Sequence, residues 1–204
     1  MDLMCALMDL TGIVTPDRPL LVLAVKEEAQ FLDRFVDLGL PVLLTGMGKV
    51  NAASSLATVL GRGPLPSSVI NLGTAGALRP GWSGTHEVGT VLQHDLDTDM
   101  LRGLTGETYG APLTLSPGGP VLATGDVFVS DEASRDRLAA RADLVDMEGY
   151  ALASVASQAG VPIRLVKHVS DDAGDGAARS WRESVAGCAR ALAAWATSHL
   201  AGDR

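Results

Sequence analysis

Carboxylates stand at the ends of three short strand-like runs in this chain. Glu27 and Glu28 follow Leu20 to Val25, Glu148 follows Leu144-Val145-Asp146-Met147, and Asp171 and Asp172 follow Ile163 to Val169. Two carboxyl groups in different surroundings can divide the work of general acid and general base. The one held in an apolar site keeps its proton to a higher pH and can protonate a leaving group. The other, ionised, can take a proton from water. Each position also has a plain structural use. A glutamate at the start of a helix interacts well with the helix dipole. An aspartate before a glycine-rich turn commonly accepts backbone N–H groups. His94-Asp95-Leu96-Asp97 offers one imidazole and two carboxylates, too few to specify a metal site, so no metal is expected.

The glycines fall at similar places. Gly46-Met47-Gly48 and Gly73-Thr74-Ala75-Gly76 each follow an apolar run, and Gly125-Asp126 follows a third. Glycine there lets the backbone turn sharply or approach a ligand. The spacing differs from that of a phosphate-binding P-loop, and Asn51 breaks the wider G-x-G-x-x-G pattern.

The elements that must position these groups alternate. Strands are expected at Leu20–Val25, Pro41–Leu44, Val69–Leu72, Val88–Leu92, Val121–Thr124, Leu144–Val145 and Ile163–Val169. Helices are expected from the spacing of Phe31, Leu32 and Phe35, and over Val50–Leu60, Glu132–Ala140, Tyr150–Gln158 and Arg179–Leu200. Residues 94–118 are rich in Gly, Thr and Pro and read as a loop over a site. Strands alternating with helices predict an α/β domain with a mostly parallel sheet covered on both faces. Ligands bind such sheets outside the strand C-termini. The candidate ends lie near Glu28, Gly46, Gly73, Gly125, Glu148 and Asp171.

Composition narrows the partners. The 204 residues are 47% hydrophobic and 4% aromatic, so Ala, Val and Leu must fill the core of what reads as one domain. Sixteen Lys and Arg against 24 Asp and Glu give a net charge of −8, which argues against nucleic-acid binding. Cys5 and Cys188 lack metal or redox spacing and read as reduced thiols. The N-terminus carries Asp2 and Asp9 and no early cation, so it does not read as a secretory signal. No stretch reaches the length of a membrane span. A cytoplasmic protein, without membrane partners, is expected.

Taken together, five segments resemble the nucleoside phosphorylase/nucleosidase superfamily, and most of all its methylthioadenosine/adenosylhomocysteine nucleosidase branch. They are Gly46 to Ala53, Ile70 to Ala77, Ala123 to Val129, Val145 to Gly149 and Val169 to Asp171, in the family's order. The resemblance spans about residues 20–200 and leaves 1–18 as an N-terminal extension. It implies a three-layer α/β/α domain with a mixed, mostly parallel sheet. It implies hydrolysis of a purine nucleoside's N-glycosidic bond by water, with no cofactor, in a homodimer.

Residue by residue, the family's G-A-M-E-E-E segment falls on Leu23 to Glu28, which makes Glu28 the group that activates water. The S-D motif makes Asp171, beside Ser170, the acid that protonates the purine. Glu148 and Met147, after Asp146, would hold the ribose. Phe128 would stack on the base and Val129 would bond its edge through the backbone. Thr74, Ala75 and Gly76 would form the floor. Asn71 stands where the hexameric phosphorylases carry a phosphate-binding arginine, which favours water as nucleophile, while Lys26 and Arg79 keep a phosphorylase open. Val25 and residues 94–118 depart from the family near the 5′ substituent. A futalosine-type hydrolase is a further alternative. A non-catalytic nucleoside-binding protein is the last, and it would have no need of both Glu28 and Asp171.

Overall fold

The computed structural model describes residues 9–31, 35 and 39–200. The described residues form ten strands: β1 (Asp9–Thr11), β2 (Leu20–Leu23), β3 (Val42–Leu44), β4 (Val69–Ala77), β5 (Thr85–Glu87), β6 (Thr90–Gln93), β7 (Leu113–Thr114), β8 (Val121–Thr124), β9 (Leu144–Asp146) and β10 (Ile163–Asp171). The helices are α1 (Lys49–Arg62), α2 (Thr98–Thr105), α3 (Glu132–Ala139), α4 (Gly149–Gln158) and α5 (Ala177–Leu200). The strands form one mixed sheet in which five of nine pairings are parallel. No described helix is long and apolar enough to cross a membrane.

Alternation along β2 shows why the sheet lies between two helical layers. Leu20 and Val22 join Ala52 and Leu56 of α1 and Leu152 of α4 on one face. Leu21 and Leu23 join Leu192, Ala193 and Ala196 of α5 on the other. A strand buried on both faces has no room for polar positions, hence its unbroken Leu/Val run. In α5 the buried positions Val185, Cys188, Ala189, Leu192, Ala193 and Ala196 recur at helical spacing, so small residues bring the helix close to the sheet.

The sheet divides at β4, and this division makes the site. One edge of β4 pairs with β10 along most of its length. The other edge pairs with β2 through Val69–Asn71, and then with β9 only at Gly76 and Ala77. Between those partners lies a gap at residues 72–75.

Several expectations change. Gly73 to Gly76 is not a turn beyond a strand, because β4 runs on through Ala77. Its glycines clear space. A Cβ on Gly73 would lie 3.0 Å from Lys167 Nζ, and one on Gly76 would lie 3.0 Å from Asp171 Oδ1. Residues 94–118 contain α2 and β7, with Asp97 capping α2 at the Met100 N–H. The strand expected at Val88–Leu92 is two strands separated at Val88-Gly89. The helix expected at Phe31, Leu32 and Phe35 lies partly outside the described residues, and residues 26–31 form turns. Asp9–Thr11 of the N-terminal extension pairs antiparallel with β3. Cys5 lies outside the described residues, and Cys188 is a buried free thiol.

Candidate active site

The gap in β4 is where Glu28 enters. Thr74 falls between the two edge partners, and its N–H donates to Glu28 Oε1 at 2.7 Å. Its hydroxyl donates to the same oxygen at 2.8 Å. Glu28 Oε2 accepts a longer bond, 3.3 Å, from the Ala24 N–H. The turns at 26–31 give the adjacent glutamates different fates. Glu28 is buried at 5% exposure, whereas Glu27 points to solvent.

Glu148 occupies the N-cap of α4, yet its side chain makes no cap bond. Asp146 does that work, accepting the Gly149 N–H at 2.8 Å. Glu148 is thereby free to reach Gly48, whose N–H donates to Oε1 at 2.8 Å. Gly48 has φ +93°, in the left-handed region open to glycine, which turns this N–H from the start of α1 toward the pocket. Burial, with Asp146 close by, pushes the Glu148 carboxyl up to about 8, although Lys167 and the Gly48 N–H oppose the shift.

Beneath these groups lies an ion pair that the sequence reading did not single out. Lys167 Nζ and Asp146 Oδ2 are 2.8 Å apart, each side chain 1% exposed. Burial alone would lower the lysine's pKa, but Asp146, Glu148 and Glu28 outweigh it and raise it. Asp146 also accepts the Thr124 hydroxyl at 2.6 Å. Lys167 follows Leu165 and Val166 in the buried middle of β10, and its place there gave one available signal.

Asp171 closes β10. Its Oδ2 accepts the Ser170 hydroxyl at 2.7 Å and its Oδ1 the Ala173 N–H at 2.9 Å. The second bond needs a tight turn, and Ala173 takes φ +50°, costly for a residue with a Cβ. Burial raises the Asp171 pKa despite both bonds. Asp172 is exposed and accepts only the Gly174 N–H.

These carboxyl groups share one pocket of about 280 Å³. Every residue marked from the sequence lines it: Glu28 and Asp171, the floor Thr74, Ala75 and Gly76, Phe128 and Val129, Asp146, Met147 and Glu148, and Ser170. Met47, Ala178, Trp181 and Arg182 line it too and were not marked. Trp181 is one of two tryptophans in an Ala-rich helix, which alone does not mark it. Its Nε1 donates to Thr74 Oγ1 at 3.0 Å.

The remaining candidates have other partners. Asp95 pairs with Lys49 at 2.5 Å, and Asp97 is a helix cap. No group of three metal-ligating side chains occurs among the described residues. Arg79 bonds the Ala139 carbonyl and Asp143, and neither it nor Lys26 lines the pocket. Asn71 is buried and donates to the Val22 carbonyl at 3.0 Å. Arg182, exposed, is the one cation in the pocket lining. The arrangement therefore brings a carboxyl with a raised pKa, Asp171, and a well-bonded one, Glu28, into one pocket. That combination suits protonation of a leaving group on one side and attack by water on the other.

Known proteins resemble this chain in sequence and fold. A family model described as "Phosphorylase superfamily" matches residues 96–200. The 5′-methylthioadenosine/S-adenosylhomocysteine nucleosidase of Anoxybacillus flavithermus is 32% identical over 160 residues, covering 65% of this chain and 68% of the relative. The crystal structure of that nucleosidase from Helicobacter pylori, with butyl-thio-DADMe-Immucillin-A, superposes with a TM-score of 0.76 at 21% identity. It covers 90% of this chain and 97% of the other. The native futalosine hydrolase of Helicobacter pylori gives 0.74 at 19% identity, covering 90% and 97%. The chain belongs to the phosphorylase superfamily and is an N-glycosyl hydrolase of its nucleosidase branch.

Proposed function

We propose that the enzyme hydrolyses adenine nucleosides with a thio substituent at the 5′ carbon, releasing adenine and the free sugar. The observation that carries this reading is the shared pocket of Glu28, Glu148 and Asp171, beside which the buried cation Lys167 is already paired with Asp146. The curated relatives named 5′-methylthioadenosine/S-adenosylhomocysteine nucleosidase support the adenine nucleoside.

In this reading Asp171 gives its proton to the purine as the glycosidic bond breaks. A purine anion is a poor leaving group, and burial keeps that proton available. Glu28, held by Thr74, takes a proton from water through its less occupied Oε2. Glu148 and the Met147 backbone hold the ribose hydroxyls near the developing positive charge. Phe128 stacks on the base and Val129 bonds its edge. Ser170 steadies Asp171.

The reading extends to a cytoplasmic homodimer. Exposed apolar side chains support a second copy of the chain: Val50 at 76% and Leu104 at 73%, with no buried residue in α2. Sedimentation of the purified protein tests the dimer, and a monomer at micromolar concentration would contradict it.

Turnover across methylthioadenosine, adenosylhomocysteine, adenosine, inosine and futalosine tests the substrate. The two thio-substituted adenine nucleosides are expected to give the highest kcat/KM. Preference for inosine or futalosine would overturn the assignment.

A further inference from the structure

Glu28 is oriented by a chain of hydrogen bonds that begins in α5. Trp181 Nε1 donates to Thr74 Oγ1 at 3.0 Å, and Thr74 Oγ1 donates to Glu28 Oε1 at 2.8 Å. The direction follows from chemistry. An indole N–H can only donate, so it occupies a lone pair on the threonine oxygen. The single hydroxyl proton must then point to the carboxylate. The Thr74 N–H reaches the same oxygen at 2.7 Å, so Oε1 is held by two bonds. Oε2 keeps its capacity, since its one bond, from the Ala24 N–H, is 3.3 Å long.

The first turns of α5 are themselves anchored near the second carboxyl. The Ser184 hydroxyl lies 3.0 Å from the Ser170 carbonyl and 3.3 Å from that of Trp181. Ser170 in turn bonds Asp171. One helical segment is thus tied to both sides of the pocket.

We propose that Trp181 is a positioning residue for catalysis. Its N–H fixes the polarity of the Thr74 hydroxyl, so that Glu28 presents Oε2 to the attacking water. This rests on the nucleosidase reading above. The indole ring also lines the pocket, but a wall residue needs only bulk. The N–H makes the distinction testable, because phenylalanine keeps an aromatic wall and loses the donor.

Trp181→Phe is expected to lower kcat by about tenfold, the order set by one hydrogen bond, with KM held within about twofold. Thr74→Val leaves the Trp181 ring in place and is expected to give a loss at least as large. Adding Trp181→Phe to Thr74→Val should then have little further effect, since the two act through one chain. The Trp181 indole resonance, assigned by its loss in Trp181→Phe, should move in Thr74→Val. A raised KM with unchanged kcat, or losses that multiply in the double variant, would make Trp181 a wall only and overturn the proposal. An active wild type with an unaffected Trp181→Phe overturns this proposal alone. A wild type that releases base from no nucleoside overturns the nucleosidase reading, and this proposal with it.

Discussion

Replacing Lys167 with methionine keeps most of the side-chain volume and removes the cation paired with Asp146. The pair is 2.8 Å apart and each partner is 1% exposed, so water cannot take the lysine's place without rearrangement. Asp146 would keep its bonds from Thr124 and Gly149 but lose its counter-charge. Glu148 and Glu28, which also feel Lys167, would be left in a cluster of carboxyl groups. Removing one partner of a buried pair costs about 3–5 kcal/mol. Against a total stability of about 5–15 kcal/mol, that is a large share. At about 2–4 °C per kcal/mol for a chain of this size, Tm should fall by roughly 6–20 °C. Urea denaturation at pH 7 measures the loss directly. Asp146→Asn should cost less, because Glu148 and Glu28 still face the lysine. The double variant Lys167→Met/Asp146→Asn should be more stable than the sum of the single losses implies. A single-variant loss under about 1 kcal/mol, or strict additivity, would refute the pairing as the source of stability.

Other expectations concern the pocket. Asp171→Asn should cut kcat by about 100-fold or more while Tm stays near the wild-type value, and exposed Asp172→Asn should change little. If Asp172→Asn is the damaging change, the acid is misassigned. The Glu148 pKa is raised from an ordinary 4.5 to about 8, so between those values the folded state holds more protons than the unfolded chain. Stability from this group therefore falls as pH rises through that window. Glu148→Gln should flatten the decline of Tm between pH 5 and 8, and a parallel decline in both proteins would contradict this. Gly76→Ala places a Cβ 3.0 Å from Asp171 Oδ1 and 3.2 Å from Val145 Cγ1. It should destabilise by about 1–3 kcal/mol and reduce turnover, and a fully active variant would show that the space is not needed.

Much of this arrangement could be read from the residues because it depends on periodicity and on short motifs. Leu20 to Leu23 announces a strand covered on both faces, and α5 shows its buried side by the spacing of its small residues. The resemblance singled out Glu28 over Glu27, and the turn at 26–31 buries the former and exposes the latter. What could not be read depends on contacts between distant elements. Gly73 to Gly76 has the composition of a turn, but pairing with β10 holds it extended. Lys167 looks out of place at the buried middle of β10 until Asp146, from another strand, is set beside it. The donor role of Trp181 required Thr74 to lie in the gap between β2 and β9. The small helix α2 carries Met100, Leu101 and Leu104 at helical spacing, but the Gly-, Thr- and Pro-rich composition of residues 94–118 around it reads as loop.

The most direct test of the central claim is product analysis with methylthioadenosine in phosphate-free buffer made with ¹⁸O-labelled water. The account predicts adenine and free methylthioribose carrying the label at its anomeric oxygen. It also predicts that Glu28→Gln abolishes this release while still binding the nucleoside. Base release only when phosphate is added, with the sugar recovered as its 1-phosphate, would contradict it.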